Sequence, residues 1–444
     1  MSFTSPVFLF AFLPLTVIIY QLARSTKLKN AVWIAAGLLF YAFGDLRHLP
    51  LLLGSCLLHY GAGRYLMART KARRAVLLSC VTLDLAVLAY YKVRGALPLG
   101  ISFYTFQAIS YVADTYKNPA DGTKNLREAL QYLTFFPQLT AGPFLKFSAL
   151  RPYLDRRETT WEKNEQGVRR FVCGLCKKAL LSTAAAKLAD AMFSLASIDA
   201  LGAWTGALSY CLQLYFDFSG YSDMALGLGL LFGVQLPENF RYPYCAGSVT
   251  EFWRRWHMTL SGWFRDYVYI PLGGSRKGRA RTVFNKLLVF LATGLWHGTG
   301  WTFVLWGLWH GAFCGAETLL DRNKTLKTHW YGHVYTLLVV IFGFVLFRAE
   351  SVPQALMLLR TMLSGFTPVD ACRLALRNLL TAGTVFWCLA GVLACLPLWE
   401  HAKARFGGSR WLSAVLDTLT IVGLLLCLMQ LASHSFQPFI YASF

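Results

Sequence analysis

Two histidines framed by tryptophan and glycine stand in apolar sequence, at Leu295-Trp296-His297-Gly298 and Trp309-His310-Gly311. An imidazole is expensive to place at bilayer depth, so an ionisable group within a membrane span is a functional candidate by default. A neutral imidazole titrates near physiological pH and can take the proton of a hydroxyl as that hydroxyl attacks a carbonyl. A third histidine, His257, lies 40 residues before His297 within Glu251-Phe-Trp-Arg-Arg-Trp-His-Met-Thr-Leu-Ser-Gly-Trp-Phe-Arg-Asp-Tyr267. There Trp253, Trp256, Leu260, Trp263 and Tyr267 recur at spacings of three and four, which predicts one aromatic stripe on an interfacial helix. Arg254, Arg255 and Arg265 fall on the other side. His257 sits at the edge of the stripe and is expected to face the interior. The plainer reading of this segment is an interfacial anchor whose histidine is a packed polar group.

Gly298-Thr299-Gly300 makes an unbroken helix beyond His297 improbable and leaves room for a backbone break or a close-approaching ligand. Were the helix to continue, His310 would point about 140° away from His297. His257 is therefore the expected partner of His297, and His310 is expected to hydrogen-bond a neighbouring span. No Gly-x-Ser-x-Gly elbow and no His-Glu-x-x-His pair occurs, which disfavours serine-hydrolase and zinc-protease arrangements. A zinc site built from His257, His297 and His310 is disfavoured by their diverging directions, and no metal or bound cofactor is expected. What remains is acyl transfer, in which an acceptor hydroxyl attacks an activated acyl donor with histidine as base. A thioester suits the scheme, because its thiolate leaves without a strong acid. The rival from another class is a transporter with a histidine proton relay. Against it, no inverted repeat is visible, and charges gather near helix ends and in loops.

The elements that must position these residues are apolar helices. Of 444 residues 56% are hydrophobic and only 15% charged, where a soluble domain carries about 25%. Apolar runs such as Ala31–Phe43, Leu287–Trp296 and Leu412–Leu431 recur along the chain and approach the roughly 20 residues that cross a bilayer. The fold expected is an all-α polytopic membrane protein with about 10–12 apolar segments. Met1–Tyr20, lacking a basic n-region, reads as a retained first span. Leu97–Gln107, rich in Pro, Gly and hydroxyls, reads as re-entrant or interfacial. One integral-membrane domain is expected over 1–444: N-terminal helices in 1–150, a core with interfacial helices in 151–320, and C-terminal helices in 321–444. A polar stretch over about 151–178 separates the two halves.

The net charge of +21 gathers in short clusters at Arg24–Lys29, Arg69–Arg74 and Arg276–Arg281. That pattern follows the positive-inside rule, so these loops are assigned to the cytoplasm, with lipid contact and without nucleic acid. Eleven cysteines lack a disulfide spacing, and Cys173-Gly-Leu-Cys176 reads as a buried helix segment. Asp217 and Asp223 lie among aromatics and small residues, in structural more than catalytic surroundings. Gly229 and Gly233 read as a close-packing pair.

The segments Gly100-Ile-Ser-Phe-Tyr-Thr-Phe-Gln107, Phe252–Tyr267 and Gly294-Leu-Trp-His-Gly298 resemble the membrane-bound O-acyltransferases. The resemblance is to the bacterial branch that holds alginate O-acetyltransferase and the D-alanyl transfer protein of teichoic acid synthesis. Asn239-Phe-Arg-Tyr-Pro-Tyr244, Tyr269-Ile-Pro-Leu-Gly-Gly-Ser-Arg276, Phe344-Val-Leu-Phe-Arg-Ala349 and Pro438-Phe-Ile-Tyr441 extend it over the whole chain, with Ala442-Ser443-Phe444 a departure. The Ile-Pro-Leu-Gly-Gly-Ser-Arg and Pro-Phe-Ile-Tyr segments favour the alginate side.

The resemblance implies His297 as the catalytic histidine and His257 in the same active-site tunnel, surrounded by transmembrane, re-entrant and interfacial helices. It implies an acetyl-CoA or other acyl-thioester donor from the cytoplasm. The acceptor would be a periplasmic SGNH-hydrolase-like acetyltransferase or the glycan itself, at the bacterial inner membrane. Trp253, Arg254, Arg265 and Trp296 are the expected substrate-binding residues, the arginines for CoA phosphates or lipid headgroups. Transfer of D-alanine or another acyl group to a cell-wall glycan is the alternative.

Overall fold

A computed structural model describes residues 1–69, 71–321, 323–407 and 409–433. The Pro438–Tyr441 motif and Ala442–Phe444 lie outside the described residues. Among those described, the regular structure is helical throughout, with no strand. The chain is an all-α polytopic membrane protein. By length and composition, Arg73–Arg94, Trp330–Arg348 and Arg410–Ala432 each suffice to cross a bilayer. The pair Asp370–Leu379 and Ala382–Ala394, bent by 85°, has the length and composition of a broken span or a re-entrant loop.

Two compact units divide the chain. The first comprises Met1–Gly174 and Tyr221–Glu238 among the described residues. It holds helices α1 (Thr26–Asp45), α2 (Leu49–Ala68), α3 (Arg73–Arg94), α4 (Ile101–Lys117) and α5 (Trp161–Cys176, but for its last two residues). Its core is aromatic: Phe3, Phe8, Phe40, Phe136 and Phe232 are buried and in edge or stacked contact. Of the Leu97–Gln107 segment, Ile101–Gln107 begins α4, a regular helix with every residue of Ile101–Val112 buried. Further along α4, Ser110 donates to the Gln107 carbonyl at 2.7 Å and Thr115 to that of Tyr111 at 2.8 Å. A cavity of about 230 Å³ lies between α2, α3 and α4, lined by Gly54, Ser55, Leu58, Asp84 and Tyr104 among others. Asp84 meets Nε2 of the buried His59 at 2.9 Å.

The 32-residue helix α6 (Ala200–Leu231) contributes its last eleven residues, 221–231, to this first unit. Gly227 of α6 faces Gly167 of α5, where an added Cβ would come within 2.5 Å of the Gly167 carbonyl oxygen. The Gly229–Gly233 reading is corrected on this point. Gly233 lies past the helix end at φ +71°, and the Val234 N–H returns to the Gly229 carbonyl at 2.8 Å, as at a glycine-terminated helix.

The second unit comprises Leu175–Gly220 and, among the described residues, 239–433. It contains α7 (Val249–Arg255), α8 (Met258–Phe264), α9 (Gly278–His297), α10 (Trp301–Leu319), α11 (Trp330–Arg348) and α12 (Arg410–Ala432). Helices α9 and α10 form an antiparallel hairpin. A Cβ on Gly294 would lie 2.4 Å from the Phe303 carbonyl oxygen, and one on Gly307 2.5 Å from that of Phe290. Small residues let the two backbones touch, which is how helices associate where lipid supplies no hydrophobic drive. Lys286 ties the hairpin further, donating to the Cys314 carbonyl at 3.2 Å and to Thr318 Oγ1 at 2.6 Å.

Cys173 and Cys176 are helical as expected, but Cys173 is exposed and Cys176 only half-buried. The amphipathic α5 turns Cys173 outward, and Cys176 Sγ lies 3.6 Å from Cys427 Sγ on α12. Replacing Gly307 by valine is expected to force the hairpin apart at a cost of about 1–3 kcal/mol, as overpacking does. Thermal unfolding of the detergent-solubilised protein, compared with an exposed-site control such as Gly383→Val, measures it.

Candidate active site

Helix α9 ends at His297, and Gly298 continues in extended conformation at φ −174°. The break falls where Gly298-Thr299-Gly300 predicted it. His297 is 4% exposed. Its ring is held edge-to-face by Trp296 (4.7 Å), Trp306 (5.2 Å) and Phe347 (5.0 Å between centroids). Such contacts fix a ring's orientation and add about 0.5–1.5 kcal/mol each beyond the area they bury. His297 stands in the last turn of α9, and the negative end of a helix dipole favours positive charge there.

Because α10 turns back on α9, the 140° divergence of His297 and His310 does not arise. His310 packs against the same indole as His297, with its centroid 5.3 Å from Trp306. It also contacts Trp253 at 5.0 Å and lies beside Phe290 at 6.3 Å. The expected hydrogen bond to a neighbouring span is not made: neither His310 ring nitrogen has a hydrogen-bond partner.

The segment around His257 is two helices, not one. Helix α7 ends at Arg255, His257 adopts the left-handed conformation (φ +44°), and α8 begins at Met258. Non-glycine residues enter that region only where their surroundings hold them there. Asn239 supplies the hold. Its carbonyl accepts the Met258 N–H at 2.9 Å, while its Oδ1 accepts the Thr259 N–H at 3.2 Å and the Thr259 hydroxyl at 2.9 Å. His257 Nδ1 lies 3.2 Å from the same Oδ1. That oxygen only accepts, so Nδ1 carries the proton and Nε2 carries the lone pair.

The single aromatic stripe is thereby divided. Trp253 packs toward Phe290, Trp306 and His310, whereas Trp256 packs among Tyr215, Phe240 and Phe344. His257, 2% exposed, meets Phe218 at 4.6 Å and Phe240 at 6.4 Å. Trp256 rests on Phe344 and His297 on Phe347, so one face of α11 backs both histidine neighbourhoods.

Helix α7 is anchored from the hairpin. Ser248 caps it: the Ser248 hydroxyl accepts the Glu251 N–H, and the Glu251 carboxylate accepts the Gly247 N–H just before the cap. Buried Glu317 of α10 then accepts the Val249 and Thr250 N–H groups at 2.7 and 2.9 Å. A carboxylate at a helix N-terminus meets both its free donors and the positive end of its dipole.

Of the remaining predicted residues, Trp296 is buried beside His297 and Trp253 is half-buried beside His310. Arg254 and Arg265 are exposed, and Arg265 pairs with Asp266 at 2.7 Å. Asp217 forms a buried ion pair with Lys178, and Asp223 holds Arg170, which also reaches Glu238 at 2.7 Å. Sequence reasoning did not single out Asn239, Trp306, Phe347 or Glu317. Asn239 and Phe347 had a signal, as members of Asn239-Phe-Arg-Tyr-Pro-Tyr244 and Phe344-Val-Leu-Phe-Arg-Ala349. The others are found only once α10 and α11 are folded against α7 and α9. Among the described residues no group of three metal-ligating side chains converges.

The sequence model of the membrane-bound O-acyltransferase family matches residues 119–358, more than half of the chain and all of the histidine region. The chain belongs to the membrane-bound O-acyltransferase family. It is an O-acyltransferase. It is 36% identical to a probable alginate O-acetylase of Pseudomonas putida over the full length of both chains. A peptidoglycan O-acetyltransferase of Helicobacter pylori is 35% identical over 84% of this chain and 81% of its own. A teichoic acid D-alanyltransferase of Bacillus subtilis is 28% identical over 57% of this chain and 69% of its own.

Asn239→Ala removes the acceptor shared by His257 and Thr259. The expected loss is about 1–3 kcal/mol, since a buried donor is left unsatisfied. Thermal unfolding reads that loss, and the variant should also lose acyl transfer beyond what its unfolded fraction explains.

Proposed function

We propose that this acyltransferase moves an acetyl group from cytoplasmic acetyl-CoA across the bacterial inner membrane for O-acetylation of an exported, alginate-like polysaccharide. The observation that carries the reading is His297: a buried imidazole clamped by three aromatic rings at the broken end of α9, in a chain whose full-length relatives include a probable alginate O-acetylase. His297 is the general base. It takes the proton of the acceptor hydroxyl as that oxygen bonds to the thioester carbonyl carbon; the carbon–sulfur bond then breaks and CoA leaves as its thiolate. A positioned base contributes roughly 10²–10⁴-fold, and the α9 carbonyls support the imidazolium that forms.

His257 positions the thioester; with Nδ1–H given to Asn239 its Nε2 accepts a hydrogen bond rather than donating one to the carbonyl. The acceptor is a hydroxyl of a periplasmic SGNH-hydrolase-like partner or of the glycan itself. Arg254 and Arg265 serve the CoA phosphates, with Trp253 and Trp296 lining the donor's path. Helix α9 supports this polarity. Its 20 residues span about 30 Å, with the basic loop 276–281 at one end and His297 at the other. With the loop on the cytoplasmic side by the positive-inside rule, the donor enters near the loop and the acceptor meets His297 from the far side. The lower and shorter match to a D-alanyltransferase makes D-alanyl transfer the second reading.

His297→Ala should lower polysaccharide O-acetylation by about 100-fold or more at unchanged protein level. Alkali-released acetate from the isolated polymer measures this in cells, and parental acetylation would overturn the base assignment. Arg254→Gln should raise the KM for acetyl-CoA several-fold at low salt, less so at high salt where the contact is screened, and leave kcat near the parental value. Initial rates in membranes read this split, and an unchanged KM would free Arg254 of the donor role.

A further inference from the structure

His310 is 0% exposed and neither ring nitrogen is hydrogen-bonded. The indole N–H groups of Trp253 and Trp306, the two tryptophans in contact with His310, are buried without partners as well. The three rings touch one another, at 5.0, 5.3 and 5.5 Å between centroids. Four orphaned polar atoms in one aromatic cluster are a departure from the rule that buried polar groups are satisfied. As a packing element this imidazole is inferior to phenylalanine, which fills similar space without a desolvated donor and acceptor. A polar ring kept at such a position has its partner in another state of the protein.

The surroundings limit where that partner comes from. Helix α11 meets the ring with bare backbone, since a Cβ on Gly343 would lie 2.4 Å from His310 Nε2. Trp253 and Phe290, both beside His310, close onto the buried cluster of Val249, Cys314 and Val339. A further neighbour is Trp306, which also contacts the His297 ring, Trp253 and Phe347. His310 also lies roughly 13 Å along α10 from its start, so it is displaced from His297 toward the basic loop at the base of the hairpin.

We infer that His310 is a second substrate-contacting histidine, whose ring N–H donates a hydrogen bond to the carbonyl oxygen of the acyl thioester. It rests on the reading of His297 as base. The oxygen gains negative charge as the acceptor attacks, and a donor aimed at it in a water-poor site is worth about 10²–10³-fold in kcat. The indole N–H groups of Trp253 and Trp306 are the further donors of the same cage.

The test compares His310→Phe and His310→Gln with the parent, in detergent, with acetyl-CoA as donor. His310→Phe should melt at or above the parental temperature while kcat falls about 100-fold and KM changes little. His310→Gln, which keeps an N–H donor, should recover at least tenfold of the lost kcat. A Phe variant that melts below the parent, or that keeps parental kcat, overturns the proposal. So does a Gln variant no faster than Phe. His297→Ala run alongside separates the two claims: if it keeps transfer, the base assignment fails whatever His310→Phe does.

Discussion

The distance at which α9 and α10 can approach decides the rest of the site. With glycine at 294 and 307 the backbones meet carbonyl to Cα, and the chain reverses within Gly298–Gly300. That reversal turns two histidines 13 residues apart into neighbours of one indole. It also leaves His297 as the final helical residue, with its ring in the aromatic clamp at the negative end of the helix dipole. A side chain at Gly294 or Gly307 would separate the helices, and the contacts of Trp306 with both imidazoles would open together.

Around the hairpin, the buried polar groups fall into two kinds. Lys178 with Asp217, Glu317 with the first N–H groups of α7, and Asn239 with Thr259 are satisfied within the fold. They hold elements in place, and removing one partner strands the other. His310, Trp253 and Trp306 carry polar atoms that the fold does not satisfy. Polar groups in apolar surroundings are functional candidates, and these three rings touch one another beside His297.

Much of this was legible in the sequence, and the misses share one cause. The helical membrane class followed from composition, and the break after His297 from its two glycines. The family followed from motifs dense in Trp, His and Gly. The direction of His310 is not legible from helical periodicity, because α10 turns back on α9 after the break at Gly298–Gly300. The single stripe from Trp253 to Tyr267 was missed because His257 is held left-handed by Asn239, 18 residues earlier, and periodicity carries no trace of such a bond. Leu97–Gln107 is rich in Pro, Gly and hydroxyls, yet α4 runs as a regular helix from Ile101. Local pattern reports elements and local breaks; long-range hydrogen bonds decide which histidine faces which ring.

The central claim is that the donor's acyl group reaches the hairpin between His297 and His310. Photolabelling with a CoA thioester bearing a diazirine on its acyl end, followed by peptide mass spectrometry, tests it most directly. The account predicts cross-links on Trp296–Trp306, around His310 and on Phe344–Phe347, all suppressed by excess acetyl-CoA. Suppressible cross-links confined to the cavity of Gly54, Leu58 and Asp84 in the first unit would contradict it.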